Sequence, residues 1–281
     1  MIIAQQLVDV RQAVREARRR GQTVGCVPTM GALHAGHESL ISTCREECGF
    51  TAATIFVNPT QFGPQEDFAR YPRPGEEDLS RCRGAGVDLV FLPAVELIYP
   101  AGFSTHVEVE GLSQILEGAV RPGHFRGVAT IVLKLLNIVA PDRAYFGRKD
   151  FQQQLLVRKM CRELDLPVEI RTCATVREPD GLALSSRNRY LSADERQTAL
   201  CLYQSLQLAQ QRLTRGDEDV RAIAGDMQKL LETAGARPDY AVIADPETLV
   251  ELTAPMQNMV ALVAARVGRT RLIDNLSITC R

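Results

Sequence analysis

Two histidines close together in the sequence have the spacing to act jointly on a phosphate group. They lie in segment 28–40, PTMGALHAGHESL, which follows an apolar strand and opens a helix. His34 and His37 are three positions apart, so on a helical turn their imidazoles face the same way. Gly31 and Gly36 let the backbone pass close to a phosphate, and a helix N-terminus offers unpaired N–H groups. The segment therefore predicts a site for the α-phosphate of a nucleotide.

Two other roles for the histidine pair stay open on the residues alone. An isolated His-x-x-His pair more often belongs to a metal site or to a capped helix end. The metal role is weakened because Glu38 is the nearby carboxylate and it points elsewhere on the helix. The segment contains neither the Gly-x-x-x-x-Gly-Lys-Ser/Thr phosphate loop nor the Gly-x-Gly-x-x-Gly dinucleotide turn.

Alternating strands and helices over residues 1–176 must position this segment. Strands are predicted at 23–28, 51–57, 87–92, 143–146 and 168–176, and helices at 34–47, 127–139 and 151–164. Strands separated by helices indicate parallel βαβ crossovers, so the predicted fold class is α/β with a doubly wound, Rossmann-like parallel sheet. In such sheets ligands bind at the carboxyl ends of strands, which is where the histidine segment falls.

The pattern changes after residue 176, and a second, smaller α+β domain is predicted over 177–281. A polar loop rich in turn formers comes first. Ser192 and Glu195 then have the spacing of a capping box at the start of a helix. Two helices and two strands complete the prediction, at 192–215, 220–234, 240–244 and 259–266.

Charge and cysteine content narrow the class of protein. The chain has 33 Lys and Arg against 34 Asp and Glu, so it lacks the basic excess of a nucleic-acid-binding protein. Its 8 cysteines form no Cys-x-x-Cys pair, which indicates reduced thiols in a cytoplasmic protein. No signal peptide and no apolar run of about 18 residues is apparent, so no membrane partner is expected. A small-molecule ligand is favoured.

Five segments together resemble the pantothenate synthetase family of class I adenylyl-transferring enzymes, whose signature is His-x-Gly-His. Besides the histidine segment they are IFVNPTQFGPQEDFARYPR, LEGAVRPGHFRGVATIVLKLLNIVAPDRAYFGRKDFQQ, DGLALSSRNRYL and RLIDN, at 55–73, 116–153, 180–191 and 271–275. Their order and spacing agree over nearly the whole chain. The resemblance implies ATP-dependent condensation of pantoate with β-alanine through a pantoyl adenylate, with release of AMP and pyrophosphate. It also implies Mg²⁺ and a homodimer.

The resemblance further implies which residues form the site. His37 would be the catalytic proton donor at the α-phosphate, with His34 and Lys149 assisting. Gln61 would bind pantoate and β-alanine, and Gln153 would bind pantoate from the other side, since amides can fix a hydroxy acid by hydrogen bonds. The implied ATP-binding residues are Met30, Gly31, Ala32, Leu33, His34, Ala35, Gly36, His37, Gly147, Arg148, Lys149, Asp150, Val176, Leu184, Ser185, Ser186 and Arg187.

Several of these residues have more specific expected roles. Lys149 would supply a mobile positive charge to the leaving phosphates. Asp150 would orient a metal-bound water or the ribose, while Mg²⁺ is held mainly through the ATP phosphates. The family's string here is Gly-Glu-Lys-Asp, so Arg148 is a departure, and we expect its side chain to point to solvent. Val176 would touch the adenine through its backbone, and 184–187 would close over the triphosphate as part of a lid domain.

Two other kinds of function are alternatives to the ligase, namely another enzyme of the same superfamily and a nucleotide-binding module without catalysis. A cytidylyltransferase of the same superfamily would lack NPTQFGP and DFQQ, and an aminoacyl-tRNA synthetase would need an anticodon-reading region and a basic face. A regulatory nucleotide-binding module without catalysis would lack His37, Lys149 or the Ser-Ser-Arg loop, and all three are present. The ligase is therefore favoured. His124 and Arg126 are interpreted only as residues at a helix start.

Overall fold

The computed structural model describes residues 1–64, 66–73 and 75–280, and the chain divides into two compact units. The first unit comprises Met1–Arg148 and Gln153–Ala174, and the second comprises Lys149–Gln152 and Thr175–Arg281. The boundary expected at residue 176 lies just inside the second unit. The short segment Lys149–Gln152 belongs to the second unit although it is distant from it in sequence.

A six-stranded parallel sheet forms the centre of the first unit. Its strands are β1 Ile2–Ala4, β2 Val24–Thr29, β3 Phe50–Ile55, β4 Leu89–Phe91, β5 Arg143–Gly147 and β6 Glu169–Cys173. They lie in the order β1-β4-β3-β2-β5-β6, and all paired strands are parallel. On one side of β2 lie β3 and then β4, and on its other side lie β5 and then β6. The predicted doubly wound α/β class is confirmed, whereas β1 was not predicted because three residues are too few to show a period.

Seven helices lie within the described part of the first unit or at its edge. They are α1 Leu7–Arg19, α2 Ala35–Glu47, α3 Glu76–Gly84, α4 Val95–Ile98, α5 Glu117–Val120, α6 His124–Val139 and α7 Phe151–Glu163. Most of α6 is buried, as its apolar sequence predicts. It starts earlier than expected because Gly123, with φ +82°, provides its N-cap. The sequence did not predict α3, whose buried apolar residues are only Leu79 and Cys82.

The second unit consists of three helices and an antiparallel sheet. Its elements are α8 Ala193–Thr198, α9 Leu200–Thr214, α10 Val220–Thr233, β7 Arg237–Ala244, β8 Asn258–Val267 and β9 Thr270–Thr279. The sheet order is β7-β8-β9. Buried side chains of α9 and α10, among them Leu206 and Met227, share one core with the inner face of this sheet. No helix in the described ranges of either unit has the length and hydropathy needed to span a bilayer.

The structure corrects two predictions for this unit. The expected single helix at 192–215 is two helices, because the N–H of Leu202 bonds to the carbonyl of Ala199, three residues back, and tightens one turn. The capping box of Ser192 and Glu195 is confirmed, with hydrogen bonds of 3.2 and 2.8 Å. The third strand, β9, was missed because buried polar residues interrupt its apolar alternation.

Candidate active site

Two loops that carry predicted site residues leave the first unit's sheet side by side. β2 and β3 are parallel neighbours, and their last residues, Thr29 and Ile55, are in register. The loops that follow therefore start at the same edge of the sheet, next to the reversal of strand order between β2 and β5, where doubly wound sheets bind ligands. Gln61 Nε2 lies 3.0 Å from Met30 Sδ. The predicted ATP-binding and pantoate-binding loops are thus in contact within this unit.

Both histidines cap the N-terminus of α2 through the same ring nitrogen. His34 is the N-cap residue, and its Nδ1 accepts a hydrogen bond from the Gly36 N–H at 3.1 Å. The Nδ1 of His37 accepts one from the His34 N–H at 3.3 Å, and the two ring centroids are 4.2 Å apart. A ring nitrogen that accepts carries no proton, so each neutral imidazole carries its proton on Nε2 and donates from there. The capping role is confirmed, and it orients two Nε2 donors.

The backbone N–H groups of this loop have acceptors inside the protein. Asp78 of α3 is 2% exposed and accepts hydrogen bonds from Ala32 N–H at 2.9 Å and Leu33 N–H at 2.7 Å. The N–H groups with an internal acceptor are those of Gly31, Ala32, Leu33, His34, Gly36 and His37. The expectation of unpaired N–H groups is therefore wrong for these residues. In this conformation these N–H groups are already paired, so a phosphate predicted to bind here would depend on side-chain donors such as those of the histidines.

Asp78 also stabilises the two positive φ angles that precede the histidines, at Gly31 and Ala32. Gly31 has φ +81°, and a Cβ there would lie 2.8 Å from Asp78 Oδ2 and 3.2 Å from Ile55 Cγ2. Ala32 has φ +50°, a left-handed conformation that costs about 1 kcal/mol for a residue with a side chain. The hydrogen bonds to the buried carboxylate offset that cost. Sequence reasoning missed Asp78 because it ends an acidic run at a helix start, a common surface pattern.

Asn58 fixes the direction of the Gln61 amide. Its side-chain N–H groups donate to Gln61 Oε1 at 3.0 Å and to Gly127 O at 3.2 Å, and its Oδ1 accepts from the Tyr99 hydroxyl at 2.8 Å. Asn58 and Gln61 are 1% and 7% exposed. With one bond to Oε1 and one N–H directed at Met30, the Gln61 amide retains a second donor and a second lone pair for a substrate. Sequence reasoning missed Asn58, whose one signal is its place as the cap of a proline-containing turn.

A second group of side chains holds the main chain of Gln61. Arg121 donates to both carboxylate oxygens of Glu66 at 2.6 and 2.7 Å, and its Nη1 lies 3.0 Å from His124 Nε2. Since arginine only donates, His124 Nε2 accepts, and its Nδ1–H donates to Gln61 O at 2.8 Å. Burial, with the positive charge of Arg121, lowers the pKa of His124 to about 4. His124 does start α6, as expected, but it also positions Gln61.

Lys149 lies among charged groups of the second unit. Burial lowers the pKa of its ammonium group, the carboxylates of Asp150 and Asp274 raise it, and the cations Arg187 and Arg177 lower it again, for a net decrease. Asp150 is exposed. Lys149 thus has two cations and two carboxylates around it, so this group of five charged side chains carries a net positive charge, which suits a polyphosphate.

The loop that leads to Arg187 is a narrow hairpin. The N–H of Leu184 donates to Val176 O at 3.0 Å, and Arg177 pairs with Ala183. Ser185 then caps a 3₁₀ helix, since its Oγ accepts from the Arg187 N–H at 3.2 Å. A hydroxyl that accepts in this way keeps its own hydrogen for donation to a ligand.

Two further predicted residues belong to the first unit. Gln153 is half-buried in the first turn of α7, between Gln152 and Gln154, which are each 3% exposed. The side chain of Arg148 is exposed, and its N–H donates to Cys173 O at 2.8 Å, which continues the pairing of β5 with β6. Within the described ranges, no group of three or more His, Cys, Asp or Glu side chains is placed to hold a metal ion.

Comparison with known protein sequences points to one family. The family model described as pantoate-beta-alanine ligase matches residues 2–277. A pantothenate synthetase of Herpetosiphon aurantiacus is 54% identical over 276 residues, which cover 96% of this chain and 99% of that protein. A pantothenate synthetase of Moorella thermoacetica is 51% identical over 277 residues, with 98% of each chain covered.

Solved structures give the same result. The pantothenate synthetase of Thermus thermophilus superposes with a TM-score of 0.93 at 48% identity, covering 98% of this chain and 99% of that one. The pantoate-beta-alanine ligase of Francisella tularensis, complexed with beta-gamma ATP and beta-alanine, superposes with a TM-score of 0.82 at 34% identity, covering 98% and 97%.

Proposed function

The chain belongs to the pantoate–beta-alanine ligase family and uses ATP to join pantoate to β-alanine, and we propose that it does so through a pantoyl adenylate. The pair of histidines after β2 carries this proposal, because their backbone hydrogen bonds place the proton of each neutral ring on Nε2. Two such donors suit the oxygens of the α-phosphate, where negative charge grows as a nucleophile attacks.

The first step activates the acid. A carboxylate oxygen of pantoate forms a bond to the α-phosphorus of ATP, while the bond from that phosphorus to the pyrophosphate oxygen breaks. His37 donates to the α-phosphate and His34 assists it. Lys149 supplies positive charge to the leaving pyrophosphate. Such positioned donors and charges carry most of the catalysis in phosphoryl-group chemistry.

The second step forms the amide. The neutral amine of β-alanine attacks the acyl carbon of the adenylate, the bond from that carbon to the AMP oxygen breaks, and the ammonium proton is lost to give pantothenate. We assign Gln61 to both pantoate and β-alanine, and Gln153 to pantoate. The buried hydrogen bonds from Asn58 and His124 support this assignment, because they hold the amide and main chain of Gln61 in one orientation.

The remaining nucleotide contacts are assigned to short segments. We assign 30–37 and 147–150 to the phosphates, Val176 to the adenine, and 184–187 to the triphosphate through the Ser185 and Ser186 hydroxyls and the Arg187 fork. Mg²⁺ fits these residues as an ion held mainly by ATP, since Asp150 offers a single exposed carboxylate and Mg²⁺ commonly takes one or two carboxylates plus substrate phosphates. When bound, the ion would neutralise phosphate charge.

Product stoichiometry tests the adenylate route. Because attack is placed at the α-phosphorus, each pantothenate should appear with one AMP and one pyrophosphate, measured by chromatography of a reaction with all three substrates. A reaction without pantoate serves as the control for ATP hydrolysis. ADP and phosphate as products would show an acyl-phosphate route and contradict the role given to the histidines.

We also infer a cytoplasmic homodimer from the family resemblance. All eight cysteines are free thiols and six are buried. Burial raises the pKa of Cys161 and Cys201 to about 11, so these thiols stay protonated near neutral pH. Free, unreactive thiols suit a reducing compartment. Sedimentation of the purified protein should give twice the mass of the chain, and a monomer at micromolar concentration would contradict the dimer.

A further inference from the structure

Asp274 and Asn275 of β9 lie in the motif RLIDN, to which the proposed reaction assigns no role. Both residues are 3% exposed. Consecutive residues of a strand point to opposite faces of the sheet, so the two side chains reach different segments of the second unit. Burying a carboxylate and an amide is costly unless each has partners. The identity of those partners indicates what the dipeptide does.

Asn275 holds the main chain of the lysine assigned to the phosphates. Its Nδ2 donates to Lys149 O at 2.8 Å. This hydrogen bond joins residues 126 positions apart in the sequence, and it agrees with the grouping of Lys149–Gln152 in the second unit. The bond fixes the backbone position from which the flexible lysine side chain starts.

Asp274 holds the hairpin that leads to the Ser-Ser-Arg loop. Its carboxylate oxygens accept hydrogen bonds from Arg177 at 2.6 and 2.9 Å. The same guanidinium donates to Gly181 O at 3.0 Å and to Asn275 O at 3.2 Å, and it lies 4.1 Å from the ring centroid of Tyr203. Arg177 therefore fastens both the start and the turn of this hairpin to β9.

We propose that Asp274 and Asn275 are positioning residues for adenylation. This dipeptide of β9 holds both second-unit segments that are assigned to the phosphates, namely the backbone of Lys149 and the hairpin that leads to 184–187. The proposal rests on the proposed function of Lys149 and of 184–187. Electrostatics agree with it. Burial lowers the pKa of Lys149, and the carboxylates of Asp150 and Asp274 oppose that decrease. The dipeptide thus helps to keep a positive charge beside the phosphates.

Asn275→Asp tests the link to Lys149. This substitution keeps the size of the side chain but replaces the donor with an acceptor that faces a carbonyl oxygen. Exchange of labelled pyrophosphate into ATP, with pantoate present and β-alanine omitted, isolates adenylation. We expect its kcat to fall about tenfold or more, since small misplacements of reacting groups have effects of that order, while KM for pantoate stays within about twofold.

Asn258→Asp is the matched control. It makes the same chemical change in the same β8–β9 hairpin, where Asn258 is exposed and its Oδ1 accepts from Thr279 Oγ1 at 3.1 Å. This variant should exchange pyrophosphate as the wild type does. Thermal unfolding of each variant checks that it folds. If Asn275→Asp does not fold, Asn275→Ala takes its place, because it removes the donor without adding a charge.

A double-mutant cycle with Lys149→Ala separates positioning from a general structural defect. If Asn275 acts through Lys149, Asn275→Asp should add little to the loss caused by Lys149→Ala. If Asn275→Asp lowers the exchange rate by the same factor in the wild type and in Lys149→Ala, the proposal is wrong. It is also wrong if a folded Asn275→Asp protein exchanges normally while Lys149→Ala is impaired. Normal exchange in Lys149→Ala itself would instead show that the proposed function of that lysine is wrong.

Discussion

At the scale of single residues, the chemistry of this site depends on which ring nitrogen of each histidine carries the proton. Backbone N–H groups occupy the Nδ1 atoms of His34 and His37, so the Nε2 atoms are the donors. The same hydrogen bonds that cap α2 therefore set the tautomer and restrain the rings. A cap and a phosphate donor are compatible roles for one histidine, because they use opposite nitrogens.

His37→Asn separates these two roles. Asparagine can still accept a hydrogen bond at the cap, so the free energy of unfolding should change little. It has no group at the place of Nε2, so pyrophosphate–ATP exchange should fall roughly 100-fold or more. The same variant, given preformed pantoyl adenylate and β-alanine, should keep much of its amide-forming rate, since the leaving phosphate already has a low pKa. Normal exchange in a folded variant would show that His37 has been assigned wrongly.

Gln61→Ala and Gln153→Ala test the assignment of pantoate. Each substitution should raise KM for pantoate by about 10-fold or more and change KM for ATP little, because an unpaired polar group in a site costs about 1–3 kcal/mol. Gln228→Ala, at an exposed position on α10, is the matched control and should leave both constants unchanged. Steady-state kinetics with pantoate and ATP varied in turn would measure both KM values. Unchanged pantoate dependence in both variants would remove them from the site.

At the scale of elements, α3 shapes the loop after β2. Its buried Asp78 carboxylate accepts two of the loop's N–H groups beside Ala32, which has φ +50°. A short charged helix is thereby coupled to the position of the histidines at the start of α2. The loop's conformation depends on this tertiary contact as well as on its own glycines.

Asp78→Asn tests that coupling. The amide has one acceptor where the carboxylate has two, so one N–H loses its partner and faces an NH₂ group. We expect the free energy of unfolding to fall by about 2 kcal/mol and KM for ATP to rise, because hydrogen bonds to a charged group contribute amounts of that order. Glu76→Gln, an exposed change on the same helix, should alter neither quantity. Wild-type stability and ATP use in Asp78→Asn would contradict the coupling.

At the scale of the whole molecule, buried His124 should make stability depend on pH. Burial lowers its pKa from 6.5 to about 4, so the folded protein keeps the ring neutral where the unfolded chain protonates it. Stability from this group is therefore complete above pH 6.5 and is lost as the pH falls toward 4. The loss at pH 5 should be about 2 kcal/mol relative to pH 7.

Urea unfolding at pH 7 and pH 5 measures this loss. His124→Asn replaces the ring by an amide that can still donate to the Gln61 carbonyl but does not titrate, so its stability should fall less between the two pH values. The neighbouring carboxylate Glu66 also contributes. Burial alone would raise its pKa, but the hydrogen bonds from Arg121 hold it below the usual range, and that stability is lost only at lower pH. Equal losses in the wild type and His124→Asn would contradict the assignment.

The sequence by itself determined the α/β class and the residue types of the candidate site. Alternating apolar strands and amphipathic helices have distinct periods, so the order of β2 to β6 and of α2, α6 and α7 was predictable from local pattern. The segment around His34 and His37 was predictable for the same reason, since residue type and spacing suffice to suggest phosphate chemistry. Short or polar elements such as β1, α3 and β9 lack such a pattern and were missed.

Only the tertiary structure decided which hydrogen-bond partners the backbone of the site segments has. Two N–H groups of the loop after β2 donate to Asp78, which is 46 positions from Ala32, and the backbone of Lys149 is held by Asn275, 126 positions away. Partners so distant are brought together by burial of the core and by strand pairing. A buried polar group must have a hydrogen-bond partner, and that partner can come from any part of the chain that the fold brings near. The local sequence around the group therefore does not predict which residue the partner is.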